Sequence, residues 1–452
     1  MRKKIISKGG HRKAQKPPGF VIAVLLVLVT VGHAQDEFIA DGRAFIDLLV
    51  NKKFATAVEQ FDNTMKTALP EPKLQETWTS VLTQVGPFKQ AGSARVETRG
   101  AFTVVIVTCD FQKAALDVSV VFDQQKRVAG LFFAPAKKAF AYAPPAYVKP
   151  DAFREKETTV GTGEWALPAT LTIPVGVGPF PAVVLVHGSG PNDRDETIGS
   201  NKPFKDLAWG LASKGVAVLR YEKRTKQYGA KLMALPNLTA KEEVIDDVLA
   251  AVDLLRKTEG IDAKRIFVLG HSLGGMLVPR IGRLDPNITG LISLAGATRA
   301  LEDVIPEQLA YIFSLDGSVS PEEQKQLDEA KEQTAKVKAL KPEDANSTTL
   351  IYGVPVSYWL DLRGYDPAEV AKGLKQPMLI LQGERDYQVT MEDFKRWNAA
   401  LAGKRNVTLK SYLGLNHLFI VGTNRSTPLE YDQPGHVDER VIEDISSWIK
   451  KH

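Results

Sequence analysis

Cysteine is almost absent from this chain. Cys109 is the single thiol in 452 residues, so no intrachain disulfide can form and a cysteine-rich metal site is excluded. It lies in the apolar run FTVVIVTCDF and reads as a buried strand thiol. Long apolar runs are also missing. The one near the start, FVIAVLLVLVTVG from Phe20 to Gly32, is shorter than the roughly 20 residues that span a bilayer comfortably. A surplus of one charge is missing too, once the leader is set aside. The formal net charge is +5, but Met1 to Ala34 holds seven basic residues and no acidic one. Beyond it, 51 Lys and Arg face 53 Asp and Glu. That balance leaves no electrostatic footprint for nucleic acid.

A basic start, a short apolar segment and small residues at Gly32 and Ala34 describe a secretory signal peptide over 1–34, cleaved after Ala34. An uncleaved N-terminal membrane anchor is the alternative, and membrane contact is expected only in that case. No twin-arginine pair is present, and no cysteine follows the apolar run, which argues against a lipoprotein. Export without disulfides fits a bacterial envelope or medium.

The remainder is 44% hydrophobic and 25% charged by whole-chain composition, which describes a globular chain with room for two or three domains. Over 35–142, DGRAFIDLLVNKKFATAVEQFDNTMKTAL has helical periodicity, with Phe45, Leu48, Leu49, Phe54 and Val58 on one side. LQETWTSVLTQVG is a further helix ended by Gly86. Three β-rich runs follow: ARVETRGAFTVVIVTCDF, AALDVSVVFD and RVAGLFFAP. Helices followed by a small antiparallel sheet make an α+β unit. The proline-rich 143–152 reads as a linker. From Phe153 to His452 a hairpin gives way to alternating strands and helices, which predicts a mostly parallel sheet with helices on both faces. Residues 299–372 interrupt the alternation with charged helical sequence and read as an inserted lid. In the lid, Tyr352, Tyr358 and Trp359 either line an acyl pocket or pack the lid onto the core.

The chemistry centres on RIFVLGHSLGGM, Arg265 to Met276. A short β-branched strand and an apolar helix flank Gly270-His271-Ser272-Leu273-Gly274. Glycines two residues either side of a serine let strand and helix approach closely, as a nucleophile elbow requires. A serine needs a base, and histidine is scarce at seven residues. His11 and His33 lie in the leader, His452 is terminal, and His187 and His271 belong to strand ends. His417, in LGLNHLF just past a strand, is favoured over His436. Asp386, after the strand MLILQG, is the expected orienting acid, with Glu384 as runner-up. The N–H groups of Leu273 and Ser189 are the expected oxyanion donors, with Gly188 next. Arg194 and Arg224, in NDRDE and RYEKR, either bind a substrate carboxylate or form ion pairs that brace the oxyanion loop.

HGSGP, GHSLGG, GERD and NHLF stand in this order. With them, residues 153–452 resemble the α/β-hydrolase superfamily. HGSGPNDRDETIGSNKPFKDLAWGLASKG and VLRYEKR look like a bacterial esterase group of the dienelactone-hydrolase and acylaminoacyl-peptidase type. Members of that group carry a small N-terminal domain of unknown function, which 35–142 resembles more weakly. The resemblance implies a serine carboxylesterase acting on small or medium acyl esters, without metal or organic cofactor. An exopeptidase or amide hydrolase with the same triad is one alternative. An inactive scaffold serving as a binding module is the other. The partner is a small-molecule ester. No reading of oligomeric state follows.

Cell fractionation with N-terminal sequencing tests the leader. The expected first residue of the mature protein is Gln35. A membrane-bound form that retains Phe20 to Gly32 contradicts cleavage.

Overall fold

Residues 33–99, 102–136, 142–235 and 237–452 are described by a computed structural model. The leader before His33 lies outside them. The N-terminal periodic stretch is three helices rather than one: α1 (His33–Val50), α2 (Phe54–Glu59) and α3 (Asn63–Ala68). The break after α1 passes through Lys52 at φ +57°, and Asp62 caps α3 by accepting the Met65 N–H at 2.7 Å. Helix α4 (Glu71–Val85) stops at Gly86, where φ is +82°. Phe45, Ile46 and Leu49 of α1 meet Leu74 and Trp78 of α4 over the inner face of an antiparallel meander. Its strands are β1 (Phe88–Arg99), β2 (Phe102–Phe111), β3 (Ala115–Phe122) and β4 (Val128–Pro135), in that spatial order. The first β-rich run is therefore a hairpin, closed where Arg99 pairs with Phe102.

The second sheet has eight strands. Its antiparallel edge is β5 (Phe153–Val160) and β6 (Leu167–Pro174). The parallel part is β7 (Phe180–Val186), β8 (Ala217–Tyr221), β9 (Ile261–His271), β10 (Gly290–Leu294), and two later strands given below. Between these strands run α5 (Pro203–Ser213), the short α6 (Arg224–Gln227) and α7 (Gly229–Met233), α8 (Asp246–Arg256) and α9 (Leu273–Leu284). The inserted block holds α10 (Leu301–Phe313), α11 (Pro321–Ala339), the two-residue strands β11 (Leu350–Ile351) and β12 (Val354–Pro355), α12 (Val356–Leu362) and α13 (Pro367–Lys372). The sheet resumes with β13 (Met378–Gly383), α14 (Met391–Ala400) and β14 (Val407–Tyr412), and the chain closes on α15 (Glu439–Lys451). The order across the sheet is β14-β13-β10-β9-β7-β8-β6-β5.

Period-two alternation divides the core. Val184 and Val186 of β7 point into the layer of α8 and α9, while Val183 and Leu185 point at α5 and α15. The chain leaves β7 for β8 on one side and returns to β9 on the other. Loops that diverge at such a switch point open a crevice at the strands' C-terminal ends.

Tyr352, Tyr358 and Trp359 pack the inserted block onto this core rather than line an open pocket. All three are buried with the α8 and α9 layer, and Trp359 Nε1 donates to the Ile351 carbonyl at 2.9 Å. Arg280 of α9 holds Asp361 of α12 by two bonds, at 2.7 and 2.8 Å.

Cys109 is fully buried, and that burial pushes its thiol up to about 12. At pH 8 only about one thiol in 10⁴ is thiolate. Ellman's reagent is expected to leave the folded protein unmodified and to react once per chain after denaturation. Rapid reaction of the folded protein contradicts this packing.

Candidate active site

Ser272 occupies the turn between β9 and α9, at φ +53° and ψ −115°. A non-glycine residue rarely takes positive φ, and it persists only where the surroundings enforce it. The enforcing contacts are backbone ones. A Cβ on Gly270 would stand 2.2 Å from the carbonyl of Gly274, and a Cβ on Gly274 would stand 2.3 Å from the Val186 oxygen. Glycine at both places lets α9 start hard against β7. The Ser272 N–H is held by the Leu294 carbonyl at 2.9 Å. Because Met276 N–H is the one that reaches the Ser272 carbonyl, the amides of Leu273, Gly274 and Gly275 have no partner one turn back.

Asp386 and His417 come from the loops after β13 and β14. His417 Nδ1 lies 2.7 Å from Asp386 Oδ2, with both side chains buried. Gln382 Nε2 donates to the same oxygen at 3.1 Å. The N–H groups of Gln388 and Val389 donate to Oδ1 at 2.8 and 3.0 Å. The carboxylate is thus fixed from four directions. A proton on Nδ1, donated to Asp386, leaves the Nε2 lone pair free to accept another. The His417 carbonyl contacts His271 Nε2 at 3.0 Å, and the two imidazole rings are 4.6 Å apart. His417 therefore sits against the residue that precedes Ser272.

The rejected alternatives have other partners. Glu384 accepts the Ser411 hydroxyl at 2.8 Å. His436 Nδ1 faces Asp206 at 3.1 Å, on the α5 side of the sheet. Arg194 bonds Glu157 at 2.6 Å and Glu222 at 2.8 Å, and Arg224 is paired with buried Asp247. Burial pushes the Asp247 carboxyl up to about 6 despite the arginine. Both arginines are thus held in ion pairs within the protein.

The loop after β7 lies against Ser272: a Cβ on Gly188 would stand 3.1 Å from that of the serine. Gly188 N–H is already spent on Glu196 Oε1, at 2.6 Å. Among the described residues the Ser189 N–H has no acceptor. Of the two amides expected from sequence as donors, Gly188 N–H is therefore engaged and Ser189 N–H is unengaged.

Glu196 is the residue that the sequence hid. In NDRDE it resembles a surface charge, yet it is 1% exposed. Its Oε2 lies 2.9 Å from His271 Nδ1. Burial acts against charge on either group, but each outweighs it for the other: Glu196 is lowered and His271 raised. This pair joins the loop after β7, the turn at Ser272 and, through the His417 carbonyl, the loop after β14. No group of three or more His, Cys, Asp or Glu suited to a metal ion occurs among the described residues.

The family profile described as "Serine aminopeptidase, S33" matches residues 179–423. The chain belongs to this family of α/β-hydrolases. A second profile, "Protein of unknown function (DUF3887)", matches residues 43–131, which span the N-terminal meander. The esterase EstD of Thermotoga maritima is 40% identical over 432 residues, covering 96% of this chain and 99% of that protein. Among solved structures, the Pyrococcus furiosus esterase is 16% identical over 70% of this chain and 97% of its own, with a TM-score of 0.42. The esterase domain of a Rhodothermus marinus protein is 16% identical over 66% and 98%, with a TM-score of 0.40.

The contacts separate the two acids after β13. Asp386→Asn, which reverses the tautomer preference at His417, is expected to lower kcat about 10⁴-fold. Glu384→Gln is expected to change it less than about twofold. Equal losses in the two variants would sink the assignment of Asp386.

Proposed function

We propose that this chain is a serine carboxylesterase acting on small or medium acyl esters through Ser272, His417 and Asp386. One observation carries the reading. A serine held at positive φ, at the start of a helix, directly follows a histidine whose ring lies 4.6 Å from that of His417, and His417 Nδ1 is committed to a buried carboxylate. Full-length similarity to an esterase supports the choice of ester over other acyl substrates.

In this mechanism His417 Nε2 takes the hydroxyl proton as Ser272 Oγ attacks the ester carbonyl. Asp386 keeps His417 in the needed tautomer and stabilises its cation. The N–H groups of Leu273 and Ser189 hold the oxyanion, each such donor being worth about 10²–10³ in rate. His417 then protonates the departing alcohol. Water, deprotonated by the same nitrogen, releases the acid and restores Ser272. No step calls for a cofactor.

Amide hydrolysis is the second reading, because the matched family is described as an aminopeptidase and the same triad serves both bonds. The proposal extends to location: the leader directs export to the envelope or medium, with membrane contact only if it stays attached.

Turnover of p-nitrophenyl esters of rising acyl length, beside amino-acyl p-nitroanilides, tests the reading. Ester turnover is expected to fall at least about 10³-fold in Ser272→Ala. Turnover confined to the anilides moves the protein to the peptidases. Unchanged ester turnover in Ser272→Ala removes the triad.

A further inference from the structure

The oxyanion loop is held by two buried charges, one on each polar group of Gly188. Glu196 takes the Gly188 N–H. On the other side, Lys223 Nζ donates to the Gly188 carbonyl at 2.8 Å. Asn192 Nδ2 donates to the same carbonyl at 3.2 Å. Lys223 is 2% exposed, and its ammonium also bonds Glu243 Oε1 at 2.7 Å, itself 2% exposed. A buried lysine–glutamate pair is a poor stabiliser, because removing both charges from water offsets their attraction and an apolar pair often serves as well.

The Gly188 carbonyl and the Ser189 N–H belong to one planar peptide unit. In a trans peptide they point in opposite directions. A cation that fixes the carbonyl therefore fixes the direction of the N–H. It also draws electron density from the amide nitrogen, so the N–H becomes a stronger donor.

We propose that Lys223 is a positioning residue for the oxyanion hole: through the Gly188 carbonyl it aims and polarises the Ser189 N–H. Glu243 neutralises the ammonium so that it can stand in the core. The proposal rests on the reading of Ser272 as nucleophile and the Ser189 N–H as oxyanion donor. Its effect is greatest where negative charge develops, so it acts on kcat and on transition-state affinity, and hardly on ground-state binding.

The test compares wild type with Lys223→Met and with Lys223→Met/Glu243→Gln, which leaves no unpaired carboxylate in the core. kcat and KM are measured on a p-nitrophenyl ester, with the inhibition constant of a trifluoromethyl ketone that forms an oxyanion on Ser272. Both variants are expected to lose about 10- to 100-fold in kcat, below the full loss of a donor, with KM within about twofold. Inhibitor affinity is expected to weaken by a similar factor. A folded double variant with unchanged kcat and inhibitor affinity overturns the proposal, as does a rise in KM alone. Asn192→Ala removes the second donor from the same carbonyl at a partly exposed position. It is expected to lower kcat about two- to fivefold. If neither core variant folds, Lys223→Gln, which keeps a neutral donor near the Gly188 carbonyl but removes the cation, takes their place, and unchanged kcat and inhibitor affinity in it overturn the proposal. Fluorophosphonate labelling of wild-type Ser272 keeps the two readings apart: absence of label defeats the triad, whatever Lys223 does.

Discussion

The whole site depends on how closely α9 approaches β7. The helix begins with its Gly274 backbone against the Val186 carbonyl, at a distance no side chain tolerates. That contact forces the tight turn at Ser272 and aims the helix's first amides at the loop leaving β7. It also sets that loop beside the serine, through Gly188. Replacing either elbow glycine would push strand and helix apart, and Ser272 would separate from the loop leaving β7.

Close approach brings the parts near, and buried charge fixes their register. The Glu196–His271 pair links three loops that come from strands far apart in sequence. Lys223 and Glu243 add a second grip on the same glycine. The cost of burying ions is about several kcal/mol each, and a fold that needed only cohesion could fill those places with methylene. The charges reach backbone groups that apolar side chains cannot hold. The result is a loop whose peptide plane at Gly188 is held from both sides by charge.

The sequence disclosed those parts of the site that obey local rules. Strands ending in small residues, followed by a serine, an acid and a histidine in order, marked Ser272, Asp386 and His417. The alternating pattern marked the sheet. What stayed hidden depends on distant contacts. Glu196 and Lys223 sit in charged runs, and nothing local separates a surface charge from one drawn into the core by Gly188 or Glu243. The N-terminal helices were readable by period but not by their breaks, because Lys52 at positive φ carries no glycine signal.

The inserted block is unevenly attached. Its first helix is fixed to the acid loop, where Tyr311 stacks on Tyr387 at 4.9 Å and Gln308 reaches the Gln388 carbonyl. Its last segment is fixed to α9 through Asp361 and through Tyr365, which bonds the Met276 carbonyl at 2.8 Å. Between these anchors, α11 buries only Leu327, Ala330 and Val337. The block is thus a cassette with two welded ends, and its middle is tied to them by Thr334, which donates to the Glu302 carbonyl at 2.8 Å, and by Arg363, which donates to the Val337 carbonyl at 2.7 Å. A chimera that exchanged α11 alone would keep both welds, whereas a graft cut at the outer boundaries would sever the supports of acid and serine together.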